Sequence, residues 1–172
     1  IYGAEVPFLR SKKLANDFAP TKDVLLDCVK RISSESSKYH FVLYPTSVLL
    51  LKKDFISSFN KIKKNNYDFL VAVTDYAYSP YRAFKFIGKN RISFQNKKYI
   101  NYRSQDIPRL IHDTGSFYIW KTKALLKYKG KMPKKSTYYL IDKYRSVDIN
   151  TEQDFKLATF LNKFLKKSFK IK

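Results

Sequence analysis

At 172 residues and 44% hydrophobic content the chain is long enough for one globular domain with a real core, expected over residues 1–172. No stretch approaches the ~20 consecutive apolar residues of a membrane span, and a lone Cys28 excludes an internal disulfide, which fits a reducing compartment and a cytoplasmic default. The net charge of +21 raises nucleic-acid binding, but only seven of the 35 basic residues are arginine and the lysines are scattered, which points to an AT-rich coding bias and no nucleic-acid partner.

In chain order, "TKDVLLDCVKRI" places Val24, Leu25, Cys28, Val29 and Ile32 on one stripe, predicting an amphipathic helix with Thr21 as its cap and Cys28 as a small core residue. "YHFVLYP" is a short apolar strand ended by Pro45. "KDFISSFNKIKK" repeats the helical pattern with Phe55, Ile56, Phe59 and Ile62. "YDFLVAVT" is a nearly continuous apolar run, of the kind buried on both faces of a parallel sheet. After Thr74 the texture changes, and an antiparallel, β-rich insertion is expected over about 75–115, with "FKFIGKNRISF" as two strands around a Gly-Lys-Asn turn. "GSFYIWK" and "TYYLI" are further strands. "NTEQDFKLATFLNKFLKK" closes the chain as a helix with Phe155, Ala158, Leu161, Phe164 and Leu165 inward and a capping box in "TEQD". The expected class is α/β with a mostly parallel sheet and a small antiparallel excursion.

Chemistry is sparse by motif. The four glycines include no G-x-G or Walker spacing, and His40 and His112 belong to no Cys/His zinc pattern. Polar density concentrates in three loops, "NYRSQDIPRLIHDTG", "AYSPYR" and "SVDIN", and loops at strand ends are where open α/β sheets place ligands. The first carries Arg103, Gln105, Asp106, Arg109, His112 and Asp113. These could grip a carboxylate or sugar hydroxyls and move a proton, or simply pair with each other at the surface. In "SVDIN", Asp148 and Asn150 are expected on one face of a strand, where two oxygens suit a hard cation. The alternative is that Asn150 caps the last helix and Asp148 is solvated.

Taken together, "GAEVPFLRSKKLANDFAPTKDVL", "YPTSVLL", "NYRSQDIPRLIHDTGSFYIW" and "VDINTEQDF" resemble the acylneuraminate cytidylyltransferases along essentially the whole chain. Tyr44 in "YPT" and Thr114-Gly115 in "HDTG" resemble the pseudaminic acid branch, whereas Val48 stands where both branches usually carry proline. The resemblance implies a Rossmann-like nucleotidyltransferase fold that transfers CMP from CTP to a nine-carbon keto-sugar acid with Mg²⁺, releases pyrophosphate and serves cell-surface glycan biosynthesis. N-acetylneuraminate or legionaminate is the alternative acceptor. The competing class is a basic, non-enzymatic nucleic-acid binder.

The same resemblance assigns roles to residues. Asp148 and Asn150 fall on the metal-binding D-x-D, with Asn departing at the second position and weakening the site. Arg82 and Arg103 would meet the sugar carboxylate. Tyr44, Gln105 and Tyr118 line the sugar side, and Pro45 and Thr46 the nucleotide. His112 and Asp113 are candidate bases, and a metal-polarised hydroxyl needing neither is equally consistent. It also implies a homodimer for the full-length protein and makes Ile1 internal. A first strand, a basic glycine-rich loop for the triphosphate, a helix, a second strand and its helix would precede it, on the order of 60 residues. On that expectation these 172 residues lack the first βαβα portion, are inactive alone and expose apolar surface along their first strand edge.

Overall fold

The computed structural model describes residues 3–32 and 37–169, with side chains of helix and strand residues described through Lys167. In chain order the elements are α1 (Thr21–Arg31), β1 (Tyr39–Leu43), α2 (Lys52–Lys64), β2 (Phe69–Asp75), β3 (Phe84–Phe86), β4 (Ile92–Phe94), β5 (Ile111–Lys121), α3 (Thr122–Lys127), β6 (Ser136–Leu140) and α4 (Glu152–Phe169). Four strands form one sheet in the order β1-β5-β2-β6, and β3 and β4 form a separate antiparallel pair.

Hydrogen bonds set the strand directions. Thr122 N–H donates to the Lys38 carbonyl and Tyr44 N–H to that of Ser116, so β5 descends where β1 ascends. Lys121 N–H donates to Asp68, and the Thr114 hydroxyl to Ala72, so β5 also opposes β2. Asp68 N–H to Lys135 and Ile141 N–H to Val73 make β6 parallel to β2. Thus β1, β2 and β6 run one way and β5 runs against them, giving a mixed sheet. β2 carries the continuous apolar run expected of a central strand: Leu70 and Ala72 are fully buried.

The chain divides into two compact units: Ile1–Val42, Phe55–Val71 and Tyr118–Thr137 in one, and Leu43–Asp54, Ala72–Phe117 and Tyr138–Lys172 in the other. The first has a core of Val29, Phe69, Trp120 and Leu125, with Leu26, Val42, Val71 and Tyr118 packed against it. In the second, Phe117 and Ile141 are buried, and the insertion has its own small aromatic cluster in which Tyr81 and Tyr102 contact the buried Tyr99. The β3–β4 hairpin pairs Phe84 with Phe94 around a turn where Gly88 takes φ +135°, a conformation open to glycine.

Several local expectations are corrected. Pro20, not Thr21, occupies the cap position of α1: its backbone is still extended, with ψ 138°, and Thr21 is already the first helical residue. Cys28 is only half-buried and Ile32 is exposed, Val29 being the fully buried member of that stripe. Ile56 is likewise exposed on α2. On α4, Ala158, Leu161 and Leu165 are buried as expected, but Phe155 and Phe164 are exposed, since they lie at opposite edges of an apolar arc wider than the stripe that faces the core. The α4 capping box forms around Thr151: its hydroxyl accepts from Asp154 N–H, and the Asp154 carboxylate accepts from Thr151 N–H at 2.8 Å.

Candidate functional site

Two segments expected to differ in form meet the candidate residues. "IHDTG" is not loop but the first part of β5, which begins at Ile111. "SVDIN" is not a strand; residues 146–150 are irregular and no ladder hydrogen bond holds them. The side chains of Asp148 and Asn150 still converge, with the Asn150 amide nitrogen donating to Asp148 Oδ2 at 2.9 Å. Asn150 does not cap α4, since Thr151 has that role, and its own N–H donates to Asp154 at 3.1 Å.

Gly115 explains the local shape of β5. Its φ is +62°, and the Asp113 carboxylate accepts its N–H at 2.8 Å, so the strand is locally kinked by an Asx-type turn there. The buried Thr114 hydroxyl donates to the Ala72 carbonyl and accepts from Ser116 N–H, fixing this turn to β2. A carbonyl can only accept, so His112 Nδ1, 2.9 Å from the Asp113 carbonyl oxygen, is the donor in that contact, and Nε2 is the ring nitrogen not engaged by it. The Tyr76 ring lies against the imidazole with centroids 4.6 Å apart.

Arg109 reaches from the entry of β5 to the end of β2, holding Asp75 through Nε at 2.5 Å and Nη2 at 2.7 Å. That guanidinium fork holds the Asp75 carboxyl below the usual carboxylate range. Arg103 pairs with Asp106 one turn on, at 2.7 and 3.3 Å, as the surface-pairing alternative expects. The Arg82 guanidinium donates to the carbonyl of Tyr102, which brings Arg82 next to Arg103 across twenty residues of sequence. Gln105 is exposed in the same turn, Ser104–Asp106.

Tyr44, Pro45 and Thr46 sit beside β5, because Tyr44 N–H and the Ser47 hydroxyl both donate to the Ser116 carbonyl, at 3.1 and 3.0 Å. These residues and the arginine loop lie in the same compact unit. Tyr118 belongs to the other, where its ring stacks on Phe69 with centroids 6.0 Å apart.

Sequence reasoning missed one cluster altogether. Asp54 is fully buried and accepts from Arg145 Nη1 at 2.5 Å and Nη2 at 3.1 Å, from Tyr139 Oη at 3.1 Å and from Leu51 N–H at 2.7 Å. The signal was the rarity of arginine in this lysine-rich chain: Arg31, Arg103, Arg109 and Arg145 all pair with carboxylates. A planar fork is needed at such places and lysine cannot supply it.

With this geometry in place, comparison with known proteins settles the family. No family model matches the chain. It is 32% identical over 164 residues to the pseudaminic acid cytidylyltransferase of Campylobacter jejuni subsp. jejuni, an alignment covering 94% of this chain and 71% of that protein. The chain belongs to the pseudaminic acid cytidylyltransferase family. Members are nucleotidyltransferases, and the family includes a bifunctional Helicobacter pylori protein, pseudaminic acid cytidylyltransferase and UDP-2,4-diacetamido-2,4,6-trideoxy-beta-L-altropyranose hydrolase. It is 33% identical over 72% of this chain and 24% of its own length. Among solved structures, CMP:2-keto-3-deoxy-manno-octonic acid synthetase complexed with CTP superimposes with a TM-score of 0.55 at 9% identity, over 86% of this chain and 70% of that one. At that identity the likeness concerns the fold: this cytidylyltransferase chain has the α/β architecture of a CMP-sugar synthetase.

Proposed function

We propose that the chain serves the transfer of CMP from CTP to the anomeric hydroxyl of pseudaminic acid, with release of pyrophosphate. The observation that carries this reading is the 32% identity to a pseudaminic acid cytidylyltransferase over 94% of the chain. The geometry supports it through the approach of Arg82 to the Tyr102–Arg103 turn. Both guanidinium groups are exposed, and a sugar carboxylate entering there would exchange the Arg103–Asp106 pair for a charge-assisted grip. Gln105 offers an amide to the sugar hydroxyls, Tyr44 is given to the same sugar side, and Pro45 and Thr46 to the nucleotide.

His112 is the better placed base of the two candidates. Its Nδ1–H is committed to the Asp113 carbonyl, leaving Nε2 to accept a proton from the attacking hydroxyl, whereas the Asp113 carboxylate holds the Gly115 turn. Asp148 and Asn150 fit Mg²⁺, because this ion takes one or two protein oxygens and completes its shell with waters and substrate phosphates. To ligate with its oxygen, the Asn150 amide would rotate and give up its bond to Asp148. Mg²⁺ when bound supplies charge neutralisation at the phosphates. The side chains named here position the reactants, the larger part of catalysis in phosphoryl-type transfer.

The test is a pyrophosphate-release assay on the product of the complete gene, with CTP, Mg²⁺ and either pseudaminic or N-acetylneuraminic acid. Release with pseudaminic acid alone is expected. Release only with N-acetylneuraminic acid would reassign the branch, and release with neither would sink the reading.

A further inference from the structure

The Asp54–Arg145 pair joins segments 91 residues apart, and its place in the chain bears on the candidate metal oxygens. Asp54 stands in the first turn of α2, where its carboxylate caps the helix by accepting Leu51 N–H. Arg145 ends the short turn Lys143–Arg145, itself held by Asp142, whose carboxylate accepts Tyr144 N–H at 2.8 Å. Asp148 follows three residues later, a tether of at most about 10 Å. Beyond it, Asn150 N–H and Thr151 N–H both donate to the Asp154 carboxylate, at 3.1 and 2.8 Å. The irregular segment that carries Asp148 and Asn150 is thus pinned at both ends, by Arg145 on one side and by the α4 cap on the other.

We propose that Asp54 and Arg145 are positioning residues, which hold Ser146–Asn150 against the start of α2 and so aim the Asp148 and Asn150 oxygens. This rests on the metal role given to those two residues above. Two observations and one general rule carry it. Asp54 is 0% exposed and the Arg145 side chain 10%, so the pair is shielded from solvent and from salt. The Asp54 carboxylate is saturated by four donors, two of them from Arg145, and so sets the guanidinium in one orientation. Finally, an apolar pair of similar volume commonly serves stability as well as a buried ion pair does, so a directional role is the more economical account of such a costly arrangement.

The experiment compares the wild-type product of the complete gene with D54N/R145M, D148N and R145K. Asparagine at 54 keeps an acceptor for Leu51 N–H, and the double change leaves no buried charge unpaired. Mn²⁺ serves as the probe ion with CTP present, its affinity read from water-proton relaxation, alongside the melting temperature of each variant. D148N is expected to weaken Mn²⁺ binding. D54N/R145M is expected to weaken it by about tenfold, the loss typical of removing a group that orients a metal ligand, while melting near wild type. R145K keeps the buried charge but not the fork, is expected to show a smaller loss in the same direction, and stands in if the double variant does not fold. Wild-type Mn²⁺ affinity in both D54N/R145M and R145K, with D148N impaired, would overturn the positioning role alone. Wild-type affinity in D148N would overturn the metal role and the positioning role together.

Discussion

Two carboxylate–arginine pairs in this molecule look alike on paper and do opposite things. Asp54 and Arg145 meet with side-chain exposures of 0% and 10%, and their bonds reach into a helix start, a strand and a turn. Arg103 and Asp106 meet at a closer sequence spacing with exposures of 74% and 41%, and they bond mainly each other. The first pair cannot be exchanged for anything arriving from solvent, so it organises the fold around it. The second is worth little to stability, and for that reason it can be given up to a ligand at small cost. On the reading proposed above, burial separates the pair that would hold the segment of Asp148 and Asn150 from the pair that would bind substrate.

The largest effect should come from breaking the buried pair on one side. D54A strands the Arg145 guanidinium and is expected to cost about 3–5 kcal/mol, which for a chain of this size lowers the melting temperature by roughly 10 °C or more. A change of only a degree or two in a thermal melt would mean that the pair is not the organising contact described here. Next in size is G115A. A Cβ at Gly115 would meet nothing within 4 Å, so the cost is that of a left-handed alanine alone, about 1–2 kcal/mol. Because the strain acts on the turn between His112 and Ser116, the variant should lose more activity than stability. The two losses matching would argue that the turn has no part in the site.

Smallest is the acid response of the α4 cap. Hydrogen bonds from the Thr151 side chain first, then from the backbone of Asn150 and Thr151, hold the Asp154 carboxyl below the usual carboxylate range. A group whose folded pKa is depressed adds stability that is fully present above its unfolded value, near about pH 4, and is lost as pH falls through the folded one. The melting temperatures of wild type and D154N should therefore differ at neutral pH and converge as pH falls below about 4. A gap that persists unchanged into strong acid would show that the charge is not what holds the cap.

The sequence made periodic features legible. The apolar run of β2, the insertion hairpin, the α4 capping box and the buried stripe of Ala158, Leu161 and Leu165 follow from spacing and turn chemistry alone. Strand direction was not legible, because an apolar run such as "GSFYIWK" reads the same either way and only the pairing partners decide it. Phe155 and Phe164 were misjudged as inward because the apolar arc of α4 is wider than its buried stripe, and both lie at its edges. The convergence of Asp148 with Asn150 survived the loss of the strand on which it was expected, since the two residues are neighbours in an irregular segment too. What spacing could not supply were long-range pairs: Asp75 with Arg109, Arg82 with Tyr102 and Asp54 with Arg145 lie 34, 20 and 91 residues apart.

The contrast between the two pairs is tested most directly by R103A in the product of the complete gene, with KM for pseudaminic acid, KM for CTP and the melting temperature measured side by side. Removing a charge-assisted grip on the sugar carboxylate should raise KM for the sugar acid by about tenfold or more, with KM for CTP and the melting temperature close to wild type. An unchanged KM for the sugar acid, or a melting temperature that falls as far as in D54A, would contradict the assignment of the exposed pair to the substrate.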